Sequence, residues 1–141
     1  MSLHRILEIG AAALTAQRTR METVASNLAN ARTTKTPEGG PYRRKQPVFT
    51  AEPMAAPFGD QLGLALRSVR VERIVEDKGP PVMKYEPGHP DADAAGMVAY
   101  PNVDPVQEMV DMLSATRSYE ASITLVRDAR DMSRAALQIL R

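Results

Sequence analysis

The sequence has 141 residues, enough for one modest domain or for a small folded centre with extended arms, but too few for two full domains. Aromatic residues make up 4% and Trp is absent, so a large self-sufficient core is not expected. The net charge of +1 provides no general attraction to nucleic acid or an anionic membrane, and the absence of Cys excludes disulfides, thiolate metal sites and Cys nucleophiles.

Helix breakers divide the chain into three parts. All 11 prolines lie between Pro37 and Pro105, and the two ends contain no other breaker than Gly10. Because Pro removes a backbone donor and clashes with the preceding turn, long helices are possible only at the ends. We therefore predict an α+β fold, with an N-terminal helix in 1–32, a Pro/Gly-rich β and loop segment in 33–103, and a C-terminal helix in 104–141.

The first predicted element is a helix over about 3–31, with apolar residues at seven-residue spacing as in a coiled coil. Glu8 interrupts the apolar run near its start, so we expect the N-terminus to be retained rather than cleaved as a signal peptide. Small residues around Gly10 would let another helix approach closely. The first seam position holds Leu7, Leu14, Met21 and Leu28, and the second holds Leu3, Gly10, Gln17, Val24 and Ala31.

The middle segment has several short patterns that suit strands. Val69 and Val71 alternate with charged residues, and the runs 43–50, 82–86 and 97–100 are also rich in strand-forming residues. We predict a small antiparallel sheet or hairpin region with irregular connections. The stretches 33–41 and 51–63 are predicted to be loops.

The last predicted element is a helix with a clear beginning. Asp104 suits the N-cap and Pro105 the first helical position. Apolar and small polar residues then follow at spacings of three and four, with Arg130 and Ser133 as polar interruptions, which is typical of one helical face. This second seam contains Met109, Met112, Thr116, Tyr119, Ile123, Val126, Leu137 and Leu140.

The two apolar seams require partners, because each fully buried Leu or Met contributes roughly 1.5–3 kcal/mol. One hypothesis is a helical hairpin within the chain that rests on a β-region. The other is burial between subunits, with the ends becoming fully ordered when neighbours supply the missing faces. Seam periodicity alone does not choose between them.

Several sequence segments resemble a known family. They are ASNLANARTT at 25–34, GPYRRK at 40–45, PGHPDAD at 87–93, GMVAYPNVD at 96–104, EMVDMLSA at 108–115 and RSYEA at 117–121. These segments resemble those of flagellar rod and hook proteins, and of the proximal rod proteins in particular. The resemblance covers both ends and the later part of the middle.

The resemblance implies a structural subunit of the proximal rod of the flagellar basal body, which transmits torque from the motor ring to the hook. Its implied partners are other rod proteins, the membrane-embedded ring and adaptor proteins of the basal body, further copies in a helical assembly, and the flagellar type III export apparatus. No enzymatic activity, cofactor, nucleic acid or small-molecule substrate is expected.

On this interpretation the seam residues lie between subunits. Asn27 and Asn30 have two open interpretations: they end the first helix, where Asn bonds its own backbone, or their amides fix the register between packed subunits. The predicted subunit-interface residues are Leu7, Gly10, Leu14, Met21, Val24, Asn27, Leu28, Asn30, Met109, Met112, Tyr119, Ile123, Val126, Leu137 and Leu140.

Other candidate sites favour simpler explanations. His89, Asp91 and Asp93 have ligand-like spacing, but the neighbouring Pro and Gly residues favour a turn over a metal site. The basic run 43–45 is interpreted as a solvated face or partner-facing strand. No Ser lies in a nucleophile motif and no Gly-rich phosphate loop is present, so neither a catalytic nor a cofactor site is predicted.

Two other classes of protein remain as alternatives. A secretion-associated adaptor or chaperone would also bind partner helices, but it would fold stably by itself. An interfacial membrane-binding protein would need a basic polar face on the first helix.

Overall fold

In chain order, one long helix precedes two small β-hairpins and a second long helix follows them. The structure, a computed structural model, describes residues 3–54 and 66–139. It confirms the predicted α+β class, with a helix at each end and a β-rich middle. The elements are α1 (Leu3–Ala29), β1 (Lys45–Pro53), β2 (Arg67–Glu76), β3 (Val82–Tyr85), β4 (Met97–Tyr100) and α2 (Pro105–Ile139).

Polar side chains define the inner ends of both helices. Asp104 caps α2, because its Oδ1 accepts a hydrogen bond from the backbone N of Val106 at 2.9 Å. This confirms the predicted start. At the end of α1, the side chain and the backbone N of Asn30 both donate to the carbonyl of Ser26, at 2.9 and 3.1 Å. The helix therefore ends at Ala29, slightly before the predicted end.

The helices pack against each other in antiparallel orientation. Asn27, near the end of α1, bonds Glu108 in the first turns of α2, and Gly10 lies against Val126 further along the pair. A Cβ on Gly10 would lie 2.5 Å from Cγ2 of Val126, so the missing side chain permits the close approach. The described chain thus forms the intramolecular hairpin that was one of the two hypotheses.

Small residues dominate the contact between the helices. Ala16, Ala115 and Ala129 are buried there, together with Val24.

Since α2 has 35 residues and α1 has 27, α2 is longer by about 12 Å at 1.5 Å per residue. Neither helix, over its described residues, combines the length and apolarity needed to cross a membrane.

The β-rich middle consists of two separate hairpins. β1 pairs with β2 in antiparallel register from Lys45–Glu76 to Pro53–Arg67, with a bulge between Val48 and Phe49. Both strands also contact α1, which fixes this hairpin to the helices. β3 pairs with β4 in a second, two-stranded antiparallel sheet. Each of the four segments predicted to be strands overlaps one strand of the structure.

One predicted loop is partly wrong. Residues 51–53 were expected to begin a loop, but β1 continues to Pro53 because β2 pairs with it to the end. Met54, which follows, is buried and donates its backbone N to the carbonyl of Leu66. The rest of that predicted loop, 55–63, lies outside the described residues. The predicted loop over 33–41 is confirmed as turns and irregular backbone.

The close approach at Gly10 generates a stability prediction. Replacement Gly10→Val should lower the free energy of unfolding by about 1–3 kcal/mol, because the new side chain overlaps Val126. Ala11→Val is the matched control, since Ala11 is exposed and the same β-branched residue enters the same helix. Urea unfolding followed by circular dichroism measures both, and equal stability of the two variants would contradict the packing described.

Candidate functional site

A cluster of polar side chains joins the end of α1, the start of β1 and the first turns of α2. We call it the polar junction. It lies where the two helices and the first hairpin meet, so it sets their relative orientation. Its members are Arg20, Ser26, Asn27, Tyr42, Arg44, Lys45, Glu108 and Asp111.

Asn27 is the centre of the polar junction and is only 1% exposed. Its Nδ2 donates to the carbonyl of Lys45 at 2.8 Å and to Oε2 of Glu108 at 3.0 Å. Its Oδ1 accepts from the backbone N of Lys45 at 2.8 Å and from the hydroxyl of Tyr42 at 3.0 Å. Both donors and both acceptor positions of the amide are therefore used within the chain.

Glu108 is a fully buried carboxylate, with 0% exposure. Its Oε1 accepts from Nε of Arg44 at 2.6 Å. The same guanidinium lies 3.6 Å from Oδ2 of Asp111, whose Oδ1 accepts from Nη2 of Arg20 at 3.1 Å. Two cations thus balance two carboxylates, and loss of one partner of such a buried pair costs about 3–5 kcal/mol.

The sequence interpretation of the basic run 43–45 is wrong for Arg44. Arg43 is exposed as expected, but Arg44 points into the polar junction and binds Glu108, 64 residues further along the chain. Lys45 lies 5.7 Å from the centre of the Tyr42 ring and 3.8 Å from Oε1 of Glu76. The sequence analysis missed the burial of Arg44, because an ion pair between residues so distant in sequence produces no local pattern.

The two asparagines differ in their surroundings. Asn30 is half-buried and makes only local bonds, donating to the Ser26 carbonyl and accepting from Oγ1 of Thr33 at 3.1 Å. It fits the helix-terminus interpretation. Asn27 bonds Lys45 of β1 and Glu108 of α2. It would therefore affect an interface between subunits only indirectly, by orienting these two elements.

The loop containing His89, Asp91 and Asp93 forms turns, as predicted. Oδ1 of Asp93 accepts from the backbone N atoms of Ala95 and Met97 at 2.8 and 2.9 Å. Nδ1 of His89 accepts from the backbone N of Asp91 at 3.1 Å. Within 3–54 and 66–139, no group of three or more potential metal-ligating residues is assembled.

The second hairpin has its own polar contact. The hydroxyl of Tyr100 donates to Oε2 of Glu86 at 2.8 Å, and this hydrogen bond to the carboxylate raises the pKa of Tyr100 above its usual value. Nζ of Lys84 lies 5.0 Å from the centre of the same ring. These contacts link β3 and β4 without forming a reactive centre.

The predicted interface residues fall into four groups. Gly10, Val24 and Asn27 are buried within the chain. Leu28, Met109 and Leu137 are exposed, and Leu140 lies outside the described residues. The half-buried residues are Leu7, Leu14, Met21, Asn30, Met112, Tyr119, Ile123 and Val126.

The outward side of α2 carries an apolar surface that the sequence interpretation largely missed. Val106, Met109, Val110 and Leu113 are between 52% and 64% exposed. We call these four residues the outer ridge. They lie opposite the side that faces α1, where Glu108 and Ala115 are buried. A helix of an isolated protein normally turns its apolar side inward, so this arrangement is typical of a surface that another protein covers.

Two open grooves follow the helix pair. One, of about 540 Å³, is lined by Leu3, Ile6, Leu125 and Met132 together with Ala121, Thr124, Asp128 and Ala129, and we call it the lateral groove. The other, of about 410 Å³, is lined by Leu14, Ile123, Val126, Arg127, Arg130, Asp131 and Arg134. Both are open to solvent and lined by residues of both helices, which suits protein contacts better than the enclosure of a small ligand.

Comparisons with known proteins bear on what this arrangement serves. The family model described as "Flagella basal body rod protein" matches residues 7–35. The one described as "Flagellar basal body rod FlgEFG protein C-terminal" matches residues 94–139. The matches therefore cover most of each helix.

Curated relatives cover nearly the whole chain. It is 42% identical to the flagellar basal-body rod protein FlgC of Borreliella burgdorferi and 43% identical to that of Bacillus subtilis, in each case over 99% of both chains. It is 46% identical to FlgC of Salmonella typhimurium over 94% of this chain and 93% of that one. The chain belongs to the FlgC family of flagellar basal-body rod proteins.

FlgC membership confirms the resemblance seen in the sequence. Asn27 lies within the first family-model match and Glu108 within the second, so the polar junction connects the two matched segments. Arg44, which neutralises Glu108, lies between them. In this FlgC-family chain the charge of the buried carboxylate between the helices is therefore balanced by a residue outside both matched segments.

The polar junction generates a second stability prediction. Asn27→Ala should lower the free energy of unfolding by about 3 kcal/mol, because the backbone N and carbonyl of Lys45 lose their partner and the buried carboxylate of Glu108 loses one of its donors. Asn30→Ala is the control, with an expected cost of about 0.5–1 kcal/mol for a half-buried local contact.

Urea unfolding measures both variants, and hydrogen exchange at the Lys45 amide reports the junction directly. Exchange at Lys45 should become faster only in Asn27→Ala. Unchanged protection of this amide in that variant would show that the bond to Asn27 does not hold β1 in place.

Proposed function

We propose that this chain is a structural subunit of the proximal rod of the flagellar basal body and transmits torque from the motor ring to the hook. The observation that carries the proposal is similarity over nearly the full length to several FlgC rod proteins. The two-helix architecture and the apolar outer ridge support it, because a rod subunit needs surfaces that neighbours cover.

The proposed function is mechanical. Many helices packed along one axis resist bending and twisting together, since each contact is weak but the number of contacts is large. The charged groups of the polar junction are consistent with this role, because they pair with one another and hold the hairpin on the helices. We propose no catalytic activity and no cofactor.

The proposed partners are other rod proteins, the membrane-embedded ring and adaptor proteins, and further copies of the chain in a helical assembly. We also propose that the chain reaches the rod through the flagellar type III export apparatus, without a cleaved signal peptide. Support for these partners comes from the family and from the apolar surfaces on the two helices.

The positions of the predicted interface residues refine their proposed roles. We propose that exposed residues such as Leu28, Met109 and Leu137 contact neighbours directly, and their exposure supports this. Gly10 and Asn27 would act indirectly, because they determine how the two helices lie against each other. The half-buried seam residues form the sides of the helix pair.

Purification of basal bodies from the source bacterium tests the proposal. An epitope-tagged chain that restores swimming to a deletion strain should copurify with the rod, and immunogold labelling should place it near the ring. A tagged chain that restores swimming but remains in the soluble fraction would overturn the proposal and favour the adaptor or chaperone alternative.

A charge on the exposed side of α1 should block assembly. Leu28→Asp should allow export but prevent rod formation and swimming, because Leu28 is 37% exposed and the carboxylate would be buried against a neighbour. Leu14→Asp should have the same effect, although Leu14 also lines a groove beside Val126, so the chain itself loses some stability.

Thr15→Asp, at an exposed position on the same helix that lies outside the predicted interface, is the control and should swim normally. Secretion into the medium or periplasm is measured by immunoblot, and swimming by soft-agar spreading. Normal swimming of both Leu variants would contradict the interface assignment.

A further inference from the structure

Two exposed surfaces of α2, one a ridge and the other a groove, are largely apolar. The outer ridge projects from the first turns of the helix, whereas the lateral groove lies between α2 and the start of α1. Apolar side chains form most of each surface. Since they lie at different ends of the hairpin, they cannot cover each other within one chain.

The two surfaces also carry opposite charges. Arg117 follows Val106, Val110 and Leu113 at helical spacing and therefore lies on the line of the outer ridge. Asp128 lines the lateral groove, and it is the only charged residue among the lining residues given above for that groove. Neither charge has an ion-pair partner among the residues described here, although both side chains are exposed.

The charges cannot pair within one helix. Arg117 and Asp128 are separated by about 16 Å along α2 at 1.5 Å per residue. A charge of the opposite sign on another molecule can reach each of them. A ridge beside one unpaired positive charge and a groove with one unpaired negative charge can therefore meet in a contact between two copies of the same chain.

We propose that the outer ridge of one copy docks in the lateral groove of a second copy, with Arg117 of the first paired to Asp128 of the second. This inference deepens the proposed function and rests on it. In this contact each copy gives its ridge to one neighbour and receives the ridge of another in its groove, so repeated head-to-tail contacts generate a ring or an open helix. That symmetry is the one a tubular rod requires. Two copies that exchanged both contacts would instead close as a twofold dimer, with cross-linked dimers but no higher multimers.

The contact is weak when it occurs once. A ridge of four apolar residues is much smaller than a standard interface, which has roughly 20–30 residues on each side. Repetition and neighbouring contacts in an assembly raise the effective concentration of each surface and stabilise the contact. The pair should therefore form in assembled rods and remain rare in dilute solution.

Cross-linking in assembled basal bodies tests the geometry. The natural chain has no Cys, so Arg117→Cys and Asp128→Cys introduce unique thiols. With a short bismaleimide, the chain carrying both substitutions should give dimers and higher multimers, whereas each single variant should give monomers only. The single variants are matched controls, because a head-to-tail contact does not bring two copies of the same position together.

Charge reversal tests the pairing. Arg117→Asp and Asp128→Arg should each reduce incorporation into basal bodies about tenfold or more, because like charges then face each other across the contact. The double variant restores opposite charges and should recover most of the incorporation. Arg127→Asp, which reverses another charge on the same helix, is the control. Adding Asp128→Arg to it should not restore incorporation.

The outcomes separate the two proposals. If the natural chain is found in basal bodies but the double-Cys chain gives no cross-link and the double reversal gives no rescue, the contact is refuted and the rod function stands. A cross-link to a different rod protein instead of to a second copy also refutes the contact. If the natural chain is absent from basal bodies, the proposed function itself fails.

Discussion

The buried carboxylate of Glu108 is the constraint on which the arrangement of this chain depends. A fully buried charge must be paired, and its partner, Arg44, lies at the start of the first hairpin. Asn27 completes the connection by bonding Glu108 and both backbone groups of Lys45. Two helices and one strand therefore have one relative position in which all these polar groups are satisfied.

With its interior side occupied by small residues and the polar junction, α2 presents large apolar residues outward. Ala115 and Glu108 face inward, whereas Val110 and Leu113 are more than half exposed. This reversal is unfavourable for an isolated protein in water but favourable for a subunit that neighbours surround. Coverage by neighbouring subunits thus explains why α2 carries large apolar residues on its outer side, and it is also what a rod subunit requires.

Local signals predicted much of the fold. The Asp104–Pro105 helix start, the absence of breakers at the ends and the short alternating runs correspond to α1, α2 and the four strands. The site was less predictable. Heptad spacing identified Gly10 and Val24, which are buried, but it could not show that Leu28 and Met109 would remain exposed. The register between two helices depends on contacts that no single periodic pattern contains.

The sequence by itself determined the type and order of the elements and the FlgC family, because capping, proline placement and signature segments act over a few residues. Only the tertiary structure decided that the helices pair with each other, that Arg44 is buried beside Glu108, and that α2 turns the outer ridge away from α1. These features follow from charge neutralisation and close packing between segments distant in sequence. Such interactions exist only after the chain has folded.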